Sequence, residues 1–362
     1  MELFFKNKQK YDEIVKIAES YDSEAFDDDK SYILSGDNFE IMSSMLSQYR
    51  GKIDLVYIDP PFNTDQVFSV SDERANAISR SKKGKIAYSD DMTEDEFLKF
   101  MYDRFVLIHE LLSDKGSLYV HIDIKMGHYF KVILDEIFGE NCFKNDITRI
   151  KSNPKNFNRR AYGNQKDIIL FYSKTQKNIW NDIRIKCDDE ELEKRFAKVD
   201  ENGRRYTTIP LHAPGESSPS SPTGQPWRGM NPPEGRHWRT DPAEFDRLDS
   251  LGLIEWSSKG NPRIKKFADE HQGKKIQDIW EYKDPQYPQY PTEKNMEMLE
   301  LIVKQSSNVG SYVMDCFAGS GSTLLAAYKN GRKIIGIDNS DVAIEVMKKR
   351  FEGTNIVFKN EQ

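Results

Sequence analysis

Apolar positions switch between helical and strand spacing along most of the chain, and the switches mark its elements. Tyr11, Ile14, Val15, Ile17 and Ala18 share one face and predict an amphipathic helix within residues 8–24. Tyr32-Ile33-Leu34 predicts a short strand. Phe39, Ile41, Met42, Met45 and Leu46 then predict a helix that runs to Arg50-Gly51. The short apolar run Ile53-Asp54-Leu55-Val56-Tyr57-Ile58 reads as a buried strand of a parallel sheet. Strand, helix and strand with short links make a βαβ unit. Residues 63–91 are polar, and read as a loop beside the preceding turn or as disordered surface. Thr93-Glu94-Asp95-Glu96 is a capping box that opens a helix bearing Phe97, Phe100, Met101, Phe105, Ile108 and Leu112, with Gly116 as its stop. A strand over 117–123 and a helix over 127–138, closed by Gly139, follow.

From about Asn145 the pattern breaks down. Ile168-Ile169-Leu170-Phe171-Tyr172 is a clear strand, but Lys, Arg, Asn, Pro and Ser dominate the rest, and Pro214 to Pro233 has little periodicity. Trp227-Arg228-Gly229 and Gly235-Arg236-His237-Trp238-Arg239 mix aromatics with arginines. Such groups either stack on bases and pair with phosphates or stack on one another inside a loop-rich domain. The α/β pattern returns after Tyr290-Pro291-Thr292-Glu293-Lys294. Met296, Leu299, Ile302 and Val303 predict a helix, residues 311–317 a strand, 324–327 a helix, 333–338 a strand, 342–350 a helix and 356–358 a last short strand.

Charge adds one distinction. The net charge is -6, yet Lys151 to Trp280 holds 24 Lys and Arg against 19 Asp and Glu, leaving 29 against 40 elsewhere. The middle is therefore the part suited to phosphates. Three widely spaced cysteines, Cys142, Cys187 and Cys316, suggest no disulfide framework and fit a reducing, cytoplasmic compartment. The six histidines show no zinc-type spacing with them, so no metal is expected. No segment has the length and apolarity of a membrane span.

Two turns carry candidate chemistry. Asp59-Pro60-Pro61-Phe62 follows the strand 53–58, and its prolines make a rigid turn at a strand's carboxyl end, where open α/β sheets bind ligands. A carboxylate, fixed carbonyls and an aromatic face suit an amino group on a flat ring. Phe317-Ala318-Gly319-Ser320-Gly321 links a strand to a helix, with Asp315 before it and Asp338 at the end of the next strand. Glycines admit a ligand to the backbone, and the helix start offers N–H groups. Leu324 stands where the dinucleotide fingerprint needs glycine, and the Gly-Lys-Ser/Thr of a phosphate loop is missing. A nucleoside carrying a carboxylate, such as S-adenosylmethionine, fits better, with Asp338 on its ribose.

The order of these motifs, Asp59-Pro60-Pro61-Phe62-Asn63, then Tyr290 to Lys294, then Asp315 to Gly321, resembles the β-class amino-methyltransferases that modify adenine in DNA. The chain is similar to the modification subunits of Type III restriction systems. Glu293 and Asn295 replace the Gln and Pro usual there, Ser322 replaces a common Thr, and the chain is shorter than a typical Type III modification subunit. The resemblance implies an α/β, Rossmann-like seven-stranded methyltransferase sheet in circularly permuted motif order with an inserted target-recognition region. Residues 1–148 and 285–362 would be its catalytic and S-adenosylmethionine-binding halves, and 149–284 the DNA-binding insert. Asp59, Pro60, Pro61 and Phe62 would be catalytic. Asp37, Asp59, Lys294, Asp315, Phe317, Ala318, Gly319, Ser320, Gly321 and Asp338 would bind the cofactor. Arg228, Arg236 and Arg239 would bind double-stranded DNA. The expected reaction is methylation of adenine N6 after base flipping. Methylation of cytosine N4 and a catalytically inactive DNA-binding relative are the alternatives. A homodimer and a restriction subunit are the partners the resemblance admits.

Overall fold

The structure is a computed structural model that describes residues 2–60, 68–70, 85–88, 92–153, 160–284 and 293–360, with 68–70 and 85–88 described as backbone only. Two compact units emerge. One combines Met1–Ile183 with Gln277–Gln362, and the other is Arg184–Ile276.

The first unit is built on nine strands: β1 (Tyr32–Ser35), β2 (Ile53–Ile58), β3 (Leu112–Ile122), β4 (Phe143–Ile150), β5 (Lys166–Ser173), β6 (Ile279–Trp280), β7 (Tyr312–Asp315), β8 (Lys333–Asp338) and β9 (Val357–Asn360). Their order is β6-β4-β5-β3-β2-β7-β8-β1-β9. Seven strands, β4 to β1 in that order, form the expected sheet, and the short strands β6 and β9 extend its two edges. Every pairing is parallel except those of β5, which runs antiparallel to both β3 and β4. β2 and β7, far apart in sequence, are neighbours, so segments from both sides of the insert complete one sheet.

Among the described residues seven α-helices accompany this sheet: α1 (Tyr11–Glu19), α2 (Asn38–Tyr49), α3 (Glu94–Leu111), α4 (Ile124–Phe138), α5 (Met296–Ser306), α6 (Ser322–Lys329) and α7 (Asp341–Arg350). Ile14 and Ala18 of α1, Met42 and Met45 of α2, and Phe105 and Ile108 of α3 lie with β2 and β3 in one apolar core. Such burial is the main favourable contribution to the fold. The capping box at Thr93 forms as expected, with Glu96 reaching back to the Thr93 N–H at 2.9 Å. Two boundaries differ from the sequence pattern. α4 begins at Ile124 because Asp123, expected within the strand, accepts the N–H groups of Lys125 and Met126. Gly116 lies inside β3, and α3 has already ended at Leu111. A Cβ on Gly116 would come 2.7 Å from the Ile53 carbonyl oxygen, so the close approach of β2 requires glycine there.

The second compact unit lies within the expected insert 149–284 without filling it. β5 carries the apolar run Ile168 to Tyr172, and its ladders with β3 and β4 assign it to the main sheet. β6 likewise pairs with β4. The second unit holds a four-stranded antiparallel sheet ordered Ile254–Trp256, Pro262–Phe267, Arg205–Pro210, Lys198–Val199. Leu211, Trp227, Trp238, Phe245, Ile254 and Ile264 fill its core. The tryptophans of the two aromatic–arginine segments are thus interior: Trp227 stacks on Trp256, and Trp238 meets Phe245 edge-on. The polar stretch 63–91 lies outside the described residues, save two short paired strands, Phe68–Val70 and Lys85–Tyr88. No described helix is long and apolar enough to cross a membrane.

Gly116→Ala should destabilise the chain by about 1–3 kcal/mol, because the clash falls on backbone. A lowered urea midpoint at constant m-value would register it, and an unchanged midpoint would refute the role given to this contact.

Candidate active site

The parallel strands bring acids to one edge. Asp59 directly follows β2, Asp315 ends β7, Asp338 ends β8, and Asp37 follows β1 by two residues. Each meets a different partner.

Asp59 Oδ2 pairs with Lys294 Nζ at 2.5 Å, and both side chains are largely buried. Asp59 Oδ1 is buried with no hydrogen-bond partner among the described residues. It lies 3.8 Å from His121 Nδ1. That imidazole, in the middle of the sheet, has Nδ1 2.9 Å from the Tyr57 hydroxyl and Nε2 3.3 Å from Asp167 Oδ2. Burial holds His121 below its usual pKa, so it is neutral near pH 7. Asp167 can only accept, so His121 Nε2 carries the proton and Nδ1 accepts from Tyr57. Burial raises the Asp167 carboxyl, but His121 and Lys151, the latter at 2.5 Å, outweigh it and hold the group below the usual range. Because His121 Nδ1 is committed to Tyr57, it has no proton for Asp59, and among the described residues Asp59 Oδ1 remains an unused acceptor. His121, Asp167 and Lys151 were missed in the sequence. The signal for His121 was a single polar side chain in the apolar run 118–122.

The glycine turn lies on the neighbouring strand. Gly319 and Gly321 both have left-handed backbones, with φ of 50° and 73°. The Gly319 N–H donates to Asp338 Oδ2 at 2.7 Å and the Ser340 N–H to Oδ1 at 2.9 Å. A carboxylate offers about four lone-pair sites, so Asp338 retains capacity for ribose hydroxyls. Ala318, Ser320 and Gly321 form the turn itself, and Phe317 meets Phe100 edge-on. Asp315 is different: it is fully enclosed and accepts from the Phe317 N–H at 3.1 Å. Burial pushes its carboxyl up to about 7, reinforced by Asp59 and Asp338 and partly offset by Phe317 and Thr323. It supports the turn from beneath.

Asp37 caps α2 by accepting from the Phe39 and Glu40 N–H groups, and pairs with Arg104 at 2.9 Å. Arg104, a buried cation on the apolar face of α3, also donates to Asn38 Oδ1 and covers the Phe100 ring. Asn38 Nδ2 in turn donates to the Cys316 carbonyl at 2.7 Å, which ties α2 to the glycine turn. Arg104 was missed in the sequence, where its signal was the charged pair Asp103-Arg104 between Met101 and Phe105. Pro60 follows Asp59, whereas Pro61, Phe62, Asn63 and the Tyr290–Thr292 portion of the second motif lie outside the described residues.

The three arginines lie in the second unit. Arg228 pairs with Asp249 at 2.6 Å and Asp246 at 3.1 Å. Arg236 Nη1 is 3.1 Å from His212 Nδ1, and Arg239 Nε donates to the Pro210 carbonyl at 3.0 Å. Among the described residues Arg236 and Arg239 have no carboxylate partner, and both are exposed.

The raised Asp315 carboxyl has a signed consequence. The folded state holds a proton that the unfolded chain has released above about pH 4. Stability is therefore complete below that pH and falls as pH rises towards 7. Asp315→Asn should remove about one proton from this dependence, or about 1.4 kcal/mol per pH unit. Urea unfolding at pH 5 and 7 in both proteins would test it, and equal slopes would refute the assignment.

A family model described as DNA methylase (N6_N4_Mtase) matches residues 53–349. The Type II methyltransferase M.EcaI of Enterobacter cloacae is 41% identical over 327 residues, which cover 89% of this chain and 69% of that protein. The StyLTI Mod subunit, a Type III restriction-modification enzyme of Salmonella typhimurium, is 24% identical over 322 residues, covering 80% of this chain and 48% of that subunit. The chain thus spans about half the length of that Type III relative. Among solved structures, the M1.HpyAVI–SAM complex aligns with a TM-score of 0.46 at 17% identity, covering 88% of this chain and 98% of that one. The family match takes in both Asp59 and the glycine turn, and the chain belongs to the N6/N4 DNA methylase family.

Proposed function

We propose that the chain methylates the N6 amino group of adenine within a specific sequence of double-stranded DNA. Family membership makes it a DNA methyltransferase of the restriction–modification type with S-adenosylmethionine as methyl donor. Adenine as the target rests on the Asp-Pro-Pro motif and the resemblance it carries. One observation supports the mechanism above all: Asp59 has one oxygen fixed by Lys294 and the other buried and unclaimed among the described residues.

A base stacked in duplex DNA cannot present its amino group, so the target must be flipped out. Asp59 Oδ1 then accepts one amino N–H and the Pro60 carbonyl the other. This directs the nitrogen lone pair away from both acceptors. Phe62 stacks on the base and Pro61 stiffens the turn, by resemblance. The sulfonium of the donor supplies an already activated methyl group. Asp338 holds the ribose, and Phe317 to Gly321 receive the methionine end, with Asp315 supporting them. Asp37 faces the donor's adenine, held in place by Arg104. As the amino nitrogen gains positive charge, Asp59 stabilises it in a setting that water does not screen. The rest of the acceleration comes from holding the two reactants in line.

The Arg184–Ile276 unit is the target-recognition part of this proposal, with Arg236 and Arg239 on phosphates. Arg228 contributes less, since Asp246 and Asp249 already neutralise it. A restriction subunit as partner is supported by the Type III Mod relatives, while a homodimer and a cytoplasmic setting rest on the sequence alone.

Transfer of labelled methyl groups to mixed-sequence DNA tests the reading. Label should appear on adenine N6, and Asp59→Ala should lower kcat about 10²–10³-fold. Label on cytosine N4 would keep the mechanism and replace the target. No label from a protein that binds the donor would sink the proposal. Arg236→Ala with Arg239→Ala should reduce the slope of log affinity against log salt by about 2. An unchanged slope would remove both from the DNA interface.

A further inference from the structure

The last turn of α7 touches both halves of the site. Arg350 Nη1 donates to the Ser322 hydroxyl at 2.8 Å and lies 3.5 Å from that of Ser320. Those two hydroxyls are 2.9 Å apart, on either side of Gly321. Arg350 Nη2 pairs with Glu293, and the two side chains are only 8% and 13% exposed. Glu293 directly precedes Lys294, whose ammonium holds Asp59. The same turn of α7 also supports the glycine turn by packing. A Cβ on Gly321 would come 2.9 Å from Met347 Cγ and 3.3 Å from the Phe351 ring. The residue that fixes the catalytic carboxylate and the turn assigned to the donor are thus joined through one guanidinium.

We propose that Arg350 is a positioning residue that locks the Glu293–Lys294 segment to the Ser320–Ser322 turn, coupling donor binding to the placement of Asp59. This rests on the reading of the site as a methyl-transfer centre. Arginine suits the task because its rigid fork serves two acceptors in different directions. A pair shielded from water is sensitive to loss of either partner, because the remaining charge stays buried. Glu293 stands where the resembled family usually carries Gln, which would give the guanidinium a neutral partner. Filling of the donor site presses on the glycine turn, and Arg350 carries that constraint to Lys294.

The test is a double-mutant cycle on the full chain, read as KM for S-adenosylmethionine and kcat with DNA, well below the unfolding midpoint of each variant. Arg350→Met and Glu293→Ala should each raise the donor KM about tenfold, and the double variant should be no worse than the poorer single one. Arg350→Lys should recover part of the loss by keeping the charge. Lys348→Ala, an exposed position two residues before Arg350, should behave as the unchanged chain. Folded variants with unchanged donor KM, or single effects that multiply, would overturn the coupling. An unchanged chain that fails to bind the donor would instead overturn the methyl-transfer reading, and the coupling with it.

Discussion

Crowding of like charge at one edge of a parallel sheet is the constraint on which the site depends. Parallel pairing puts all carboxyl ends on the same side, and in this chain β1, β2, β3, β7 and β8 each deliver an aspartate there: Asp37, Asp59, Asp123, Asp315 and Asp338. Five carboxylates cannot share such an edge without compensation. The chain answers five times, each time with a different device. Asp37 takes the Arg104 guanidinium, Asp59 takes Lys294, and Asp123 is absorbed as the cap of α4. Asp338 takes two backbone N–H groups, and Asp315 holds its proton up to about pH 7.

These devices are not equivalent, and their differences assign work to the residues. A carboxyl that serves only as a cap, or that is enclosed, has spent its capacity within the fold. Asp123 and Asp315 are of this kind. A carboxylate fixed on one oxygen and unclaimed on the other is prepared for something from outside. Only Asp59 among the five combines a fixed oxygen with a buried unclaimed one among the described residues. The neutral His121 behind it matters for the same reason. Its proton points to Asp167, so it leaves the vacant acceptor of Asp59 unfilled. A charged imidazole at 3.8 Å would compete for that oxygen with any donor arriving from outside.

How much of this could be read from residues alone follows from the range of the forces involved. β2, β5, β7 and β8 were legible because strands buried on both faces are continuous apolar runs, which depend on local composition. The two turns were legible because proline and glycine act on their own backbone. β4 escaped notice, since Lys144, Asn145 and Asp146 break its apolar pattern and it is a strand by virtue of pairing with β5. The same long-range pairing drew β5 into the main sheet, so that the second compact unit begins only at Arg184. Arg104 and His121 were legible only as oddities. A buried charge or imidazole acquires meaning from partners distant in sequence, here Asp37 and Asp167, and no local pattern names them.

The permuted chain order also explains why such partners matter at the site. β2 and β7 lie side by side, yet the chain builds them far apart, so no short connection holds Asp59 against the glycine turn. Backbone ladders align the strands but leave the turns beyond their ends free to move independently. Side chains that cross this seam must therefore supply the registry that a continuous loop would otherwise provide. Asn38 reaches the Cys316 carbonyl from one side, and Lys294 reaches Asp59 from the other. Arg350, bound to Glu293 and Ser322 at once, closes the circuit. An interior that is densely packed transmits a displacement at one of these contacts to the next. Geometry at the Asp59 carboxylate is consequently a property of the whole edge of the sheet, set by a few polar contacts between segments that share no local sequence.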